Sequence, residues 1–438
     1  MNPRYVFALC WLVSPLWGQY AGPAILSRGE APAALSGTTL DFRPYVELTG
    51  VYSTGLAGVV VSNTGGVADT TGYGVNITAG LSGIHRWRHT RLAVDYRGSL
   101  YYYKPKDYYD NGDQILMIGL SHQFTRHTLL TLRETAGMFS RNAGLPAVSQ
   151  ALPFDPTTSY IPNTDFFDNR TIYLSSQADF TLQKSARLSF DFGGDYFLVR
   201  RRSTALYGVT GDSARGDAQY RLTRNSTIGF DYTYLHFGYH DIFSSADIHS
   251  FTGTYAVRLS RRLEFSGYAG VARAESKFVQ SVPVDPIITQ LFGITSTNTV
   301  VYSVNYVPNI NARISEVFRK GVLYVGGGHQ VTPGNGLFLT SYMTRFTAGY
   351  TYTGVRRWSF AAQSEYDRGD SVANVQGIYG DYGGGLSISR SLSRFAHVVF
   401  NATALKYSSP GFAAYNRPVY TVTTGFGFSP GDLPVRVW

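Results

Sequence analysis

Residues Arg215–Gly238, RGDAQYRLTRNSTIGFDYTYLHFG, decide how the chain is read. The stretch breaks at Arg224-Asn225-Ser226, a short polar turn, and each half alternates with period two. In the first half Gly216, Ala218, Tyr220 and Leu222 share one face, and Arg215, Asp217, Gln219, Arg221 and Thr223 the other. In the second, Ile228, Phe230, Tyr232 and Tyr234 oppose Thr227, Gly229, Asp231 and Thr233. Successive strand side chains point to opposite faces, so the stretch predicts a hairpin with one apolar, aromatic side and one polar, charged side. About eighteen such segments follow one another, with no helix-period region to cover a face.

Working outward, predicted strands run over 42–52, 71–83, 90–103, 114–125, 128–139, 169–182, 187–199, 214–223, 226–238, 249–259, 263–275, 299–315, 321–330, 342–353, 357–367, 377–389, 395–407 and 417–428. Connections alternate short and long. Short ones include Arg126-His127 and Arg261-Arg262; long ones include 140–168, 200–213 and 276–298. The short turns and their flanks are rich in arginine, whereas acids such as Asp110, Asp113, Asp212, Asp241 and Asp247 gather at the other rim. The net charge of +9 therefore concentrates on one ring of turns, which argues against a nucleic-acid partner.

At 438 residues the chain is too long for an ordinary single-core all-β domain, yet no linker divides it. One large closed sheet resolves this. Mean hydropathy is only -0.10 although aromatic content is 15%, because alternation hides a lipid-facing stripe from any average. Met1 to Gly18 reads as a secretory signal, with Arg4 before the apolar run Val6–Leu16. Residues 19–41 read as a flexible lead-in, 42–428 as the barrel and 429–438 as a C-terminal tail. The single cysteine, Cys10, lies in the leader, which leaves no thiol chemistry for the rest of the chain.

With leader, alternating strands and alternating connections assembled, the chain resembles bacterial outer-membrane β-barrel proteins of porin type. Tyr420, Val422, Thr424, Phe426 and Phe428 form an alternating last strand. The resemblance implies that such a strand is recognised by the barrel-assembly machinery through a final aromatic residue, either Phe428 or Trp438. The expected fold is an all-β, transmembrane, antiparallel up-and-down β-barrel of about 18 strands (range 16–18), residing among outer-membrane lipid.

A barrel of that size encloses more space than its own side chains fill. The inward faces supply candidate pore-lining residues: Arg133, Asp179, Asp191, Asp217, Arg221, Asp231, Arg345 and Glu365. The function expected is passive passage of small hydrophilic solutes. Alternatives are an export pore for an exopolysaccharide, with Tyr173, Tyr268, Tyr324 and Tyr379 as inner-face sugar platforms, or a barrel carrying a loop-borne enzyme or adhesin around His236 and His240-Asp241. No catalytic residue, cofactor or metal is expected. Asp110-Asn111-Gly112-Asp113 lacks the closing glutamate of a calcium loop and reads as a turn. Gly326-Gly327-Gly328 lies inside a strand, where it serves bending or close packing.

Overall fold

A computed structural model describes residues 43–54, 71–104, 112–139, 171–201, 206–240, 242–283, 296–334, 338–352, 354–372, 377–393, 395–409 and 418–429, with 290, 336 and 416. Eighteen strands run in chain order: β1 Arg43–Ser53, β2 Gly72–Arg86, β3 Thr90–Lys104, β4 Gly112–Thr125, β5 Thr128–Phe139, β6 Thr171–Gln183, β7 Leu188–Arg201, β8 Val209–Arg221, β9 Ser226–Tyr239, β10 Ser245–Arg258, β11 Leu263–Pro283, β12 Ser296–Phe318, β13 Gly321–Thr332, β14 Ser341–Tyr352, β15 Trp358–Ser371, β16 Ile378–Ser391, β17 Ala396–Ser408 and β18 Pro418–Phe428. Each pairs antiparallel with the next, and β1 pairs with β18 from Val46↔Phe428 to Ser53↔Thr421, so the sheet closes on itself. The proposed leader and residues 19–42 lie outside the described residues, as do 430–438.

Closure gives every ladder a neighbour, which strands in hydrocarbon require. The faces follow the alternation. On β9, Ile228 and Phe230 are exposed outward at 45% and 54%, while Thr227 and Asp231 are buried inward. On β10 the outward sequence rises through Tyr255 and Phe251 to His249 and then Asp247. That change from apolar through aromatic to polar is how a lipid belt ends at its water boundary. Glu134 is an exception, since it faces outward beside Leu132 on β5 and accepts a hydrogen bond from Ser176 at 2.8 Å.

The turns that follow even-numbered strands fall at one rim, and several share one local device. Ser185, Ser260 and Ser393 each accept, through the side-chain oxygen, the backbone N–H groups two and three residues on, at 3.0–3.2 Å. Thr223 does the same for Asn225 at 3.1 Å. A hydroxyl that substitutes for a backbone acceptor sets a tight turn without glycine.

Several strands are longer than the pattern predicts, β8, β11 and β12 among them. β8 begins at Val209, where Gly211, Asp212 and Ser213 carry no apolar alternation but pair in register with both β7 and β9. β11 and β12 stay paired out to Pro283↔Ser296, whereas β10 leaves β11 at Lys277 and β13 leaves β12 at Ile310. Residues 278–283 and 296–301 therefore form a two-stranded projection above the wall.

Candidate channel lumen

The inner wall of β5–β9 carries a dense charged network. Asp191, Asp217 and Asp231 lie directly opposite one another on β7, β8 and β9. One row higher, Arg215 pairs with Asp179 and approaches Asp195 at 3.8 Å. Asp231 accepts from Thr233 at 3.0 Å, and Asp217 from Gln219 at 3.3 Å. Arg133 faces inward on β5, opposite Gln177. These carboxylates are not bathed by a wide water column: Asp179, Asp191, Asp217 and Asp231 are only 1–7% exposed. Buried charges of this kind need partners, and Arg215 supplies one to Asp179 and Asp195.

Arg221 closes this wall at its turn end. It sits at the last position of β8, and its guanidinium binds the carbonyls of Thr223 and Arg224 in the adjoining turn at 3.2 and 3.5 Å. Across the barrel, Arg345 on β14 grips Asp367 on β15 with two hydrogen bonds of 2.6 and 2.5 Å, a fork geometry. Glu365 lies on the same inner face of β15, its side chain running over Gly383 of β16. Asp367 and Arg215 complete the ion pairs but are absent from the candidate set, since alternation gives the face of a residue and not its partner.

Above the charged rows the interior becomes apolar. Tyr173, Phe197, Val199, Val209, Leu235, Phe237, Tyr239, Ile248 and Val307 form one buried cluster on strands β6 to β12. Val331 and Tyr342 join it together with Leu339, although alternation puts them on the outward face of β13 and β14. The tip of the β13–β14 hairpin has therefore left the wall and turned inward, above the point where the β12–β13 ladder stops at Ile310↔His329.

The anchors of that tip lie far apart on the cylinder. On one side Tyr239 of β9 donates to the carbonyl of Pro333 at 3.1 Å and contacts the Thr340 hydroxyl at 2.9 Å. Tyr207 N–H donates to Gly336 O at 3.0 Å, and Gly336 rests on the Arg201 guanidinium of β7 with φ of 88°, a conformation glycine adopts without strain. On the other side the Phe338 ring stacks on Tyr379 of β16, centroids 5.1 Å apart and 7° from parallel. β7 and β16 are half the barrel circumference apart in strand order, so the described residues of this tip, Pro333, Gly334, Gly336 and Phe338 to Thr340, reach across the lumen. The sequence signal was Leu337-Phe338-Leu339, an apolar run in what looks like an outer loop.

The other sequence candidates disperse. Tyr268 donates to Gln330 at 3.4 Å, Tyr324 carries the Arg313 guanidinium 5.3 Å from its ring centre, Tyr173 is in the apolar cluster and Tyr379 holds Phe338. Among the described ring pairs, no two of these four tyrosines stack on each other. His236 is bound to Asp247 at 2.8 Å on the outward face, while Asp241 lies outside the described residues, as do Asp110 and Asn111. Asp113, assigned by sequence to the acidic outer rim, lies at that end of β4, faces inward and accepts from Tyr101 at 2.6 Å. Among the described residues there is no cluster of three metal-ligating side chains, and no helix long and apolar enough to cross a membrane.

No family model matches the chain, and no curated protein matches it. Among solved structures it is similar to OpdL of Pseudomonas aeruginosa, at 11% identity over 89% of this chain and 98% of that one, with a TM-score of 0.40. A BenF-like porin from Pseudomonas fluorescens Pf-5 gives 10% identity, 90% and 100% coverage and a TM-score of 0.42. The ferric citrate transporter FecA gives 10% identity over 90% of this chain but 65% of its own, with a TM-score of 0.45. The topology itself, a closed ring of eighteen antiparallel strands with an apolar exterior and a charged interior, is that of an all-β transmembrane barrel.

Proposed function

We propose that this protein is an outer-membrane channel for the passive passage of small hydrophilic solutes. The observation that carries the reading is the division of one closed sheet into an apolar outer face and an inner face bearing Arg133, Asp179, Asp191, Asp217, Asp231, Arg345 and Glu365. Lipid tolerates the first, and only water or fixed counter-charges tolerate the second. On this reading residues 1–18 direct export, and the β18 aromatic residues present the strand to the assembly machinery. Pro333, Gly336, Phe338 and Thr340 of the crossing segment narrow the outer half of the path.

The test is planar-bilayer recording of the refolded chain. A steady ion current whose cation preference falls when Glu365, half-buried on the inner face of β15, is replaced by Lys is the expected result. A correctly folded barrel that passes no current, even with the crossing segment released by Tyr239→Phe and Phe338→Ala together, sinks the reading.

A further inference from the structure

The inner wall formed by β1–β4 with β17 and β18 holds a recess of about 140 Å³, separate from the charged rows of β5–β9 and from the crossing segment. Its floor is built of uncharged polar side chains. Thr49 donates to the Asn76 carbonyl at 3.4 Å, the Thr78 and Ser99 hydroxyls meet at 2.9 Å, and Asn401 Nδ2 donates to Thr423 at 3.1 Å. All six are buried. At its upper edge Asp113 accepts from Tyr101, which is itself stacked on Tyr103 with centroids 5.5 Å apart.

The rim is different. Tyr45, Glu47 and Arg97 are only half-buried there. The Tyr45 ring lies against Gly80, its direct partner on β2, where a methyl group would come within 2.4 Å of it. The ring is thus laid along the wall by its glycine neighbour, beside the opening of the recess.

One atom in the floor asks for a ligand. Asn401 is 6% exposed, its amide nitrogen is engaged by Thr423, and its Oδ1 has no hydrogen-bond partner among the described residues. A buried acceptor left so is destabilising, and buried polar groups in folded proteins are nearly always satisfied. The recess that Asn401 lines is where the missing donor would sit.

We propose that this recess is a binding subsite for a single neutral sugar ring, a six-membered polyol. The inference rests on the channel reading, and it names the solute class of that channel. Each sugar hydroxyl both donates and accepts, which matches a floor of hydroxyls and amides that offers both functions. Asn401 Oδ1 accepts a hydrogen bond from a sugar hydroxyl, and the apolar C–H face of the ring lies on Tyr45. Anionic solutes meet Glu47 and Asp113 and are disfavoured. Arg97, next-but-one on β3 to the inward Asp95 and within electrostatic range of both Asp95 and Glu47, offsets acidic charge that would otherwise favour a cation. The volume suits one ring with its hydroxyls rather than two, at roughly 30 Å³ per displaced water. Because the site is built to satisfy hydroxyl groups, a solute lacking them leaves its polar atoms unpaired and binds poorly.

The experiment uses the full mature chain in detergent micelles, titrated with d-glucose and with lysine by calorimetry, alongside bilayer recordings with glucose in the bath. Glucose is expected to bind and to reduce the ion current, while lysine does neither. Asn401→Leu and Tyr45→Ala are expected to weaken glucose binding at least tenfold, and Tyr45→Phe, which keeps the ring, to retain it; heat-modifiable migration certifies that each variant is folded. Glucose failing to bind the folded wild-type chain, lysine binding in its place, or binding unchanged in both disruptive variants overturns the subsite. The two readings separate cleanly. Current without glucose binding removes the subsite and leaves the channel, whereas glucose binding that is lost in Asn401→Leu from a barrel that passes no current removes the channel and leaves the subsite.

Discussion

Phe230 and Thr227 sit three positions apart on one strand and face opposite solvents. Phe230 projects outward, and an arginine there would cost roughly 2–4 kcal/mol at the lipid-facing midplane; the yield of heat-modifiable barrel from Phe230→Arg is expected to collapse. Alternation alone would make Thr227→Arg the harmless control, since an inner face is supposed to be wet. The structure corrects that. Thr227 is 2% exposed, so a long cation has no room, and Thr403, inward but half-buried on β17, is the proper control. Thr403→Arg is expected to fold like the wild type. Arg345 and Asp367 give a second test at this scale. Arg345→Leu strands a carboxylate that is 3% exposed, at a cost of about 3–5 kcal/mol, measurable as a lower denaturant midpoint in detergent. Replacing both residues by leucine is expected to recover most of that loss.

Strands were the most legible level of the sequence, because the period-two pattern needs no knowledge of the partner strand. All eighteen strands are predicted from alternation, and the hairpin around Arg224-Asn225-Ser226 lies where its faces place it. What alternation cannot supply is the extra length of β8, β11 and β12, where small or polar residues pair only because a neighbour offers a ladder. Nor can it supply the inward turn of β13–β14, which breaks the pattern at Val331 and Tyr342. The recess on β1–β4 was equally hidden, since Tyr45, Asn76 and Asn401 become neighbours only when β18 closes on β1. Glu134 is an element-level departure with its own test. A carboxyl on the outward face of β5 costs stability in lipid, so Glu134→Leu is expected to raise the unfolding midpoint in vesicles. A drop would show that the carboxyl contributes stability the Ser176 hydrogen bond alone does not explain.

At the scale of the whole molecule, the crossing segment decides how much of the enclosed space is a path. Releasing it with Tyr239→Phe and Phe338→Ala is expected to enlarge the single-channel conductance without altering the migration of the folded barrel. An unchanged conductance would mean that the narrowest point lies among the charged rows of β5–β9 instead. Those rows were legible as a charged face, but their burial was not. Burial depends on what packs across the interior, and strand periodicity says nothing about that.

A ring of strands with nothing inside it can deform between a circle and an ellipse while every ladder bond stays intact, much as a hoop does. Pro333, Gly336, Phe338 and Thr340 tie β9 and β7 to β16 nearly along a diameter, and a hoop with a spoke no longer deforms freely. The segment then sets the aspect ratio of the barrel as well as the width of its bore, and cutting one end of the spoke should broaden the spread of current levels in a single open channel even where the mean barely moves.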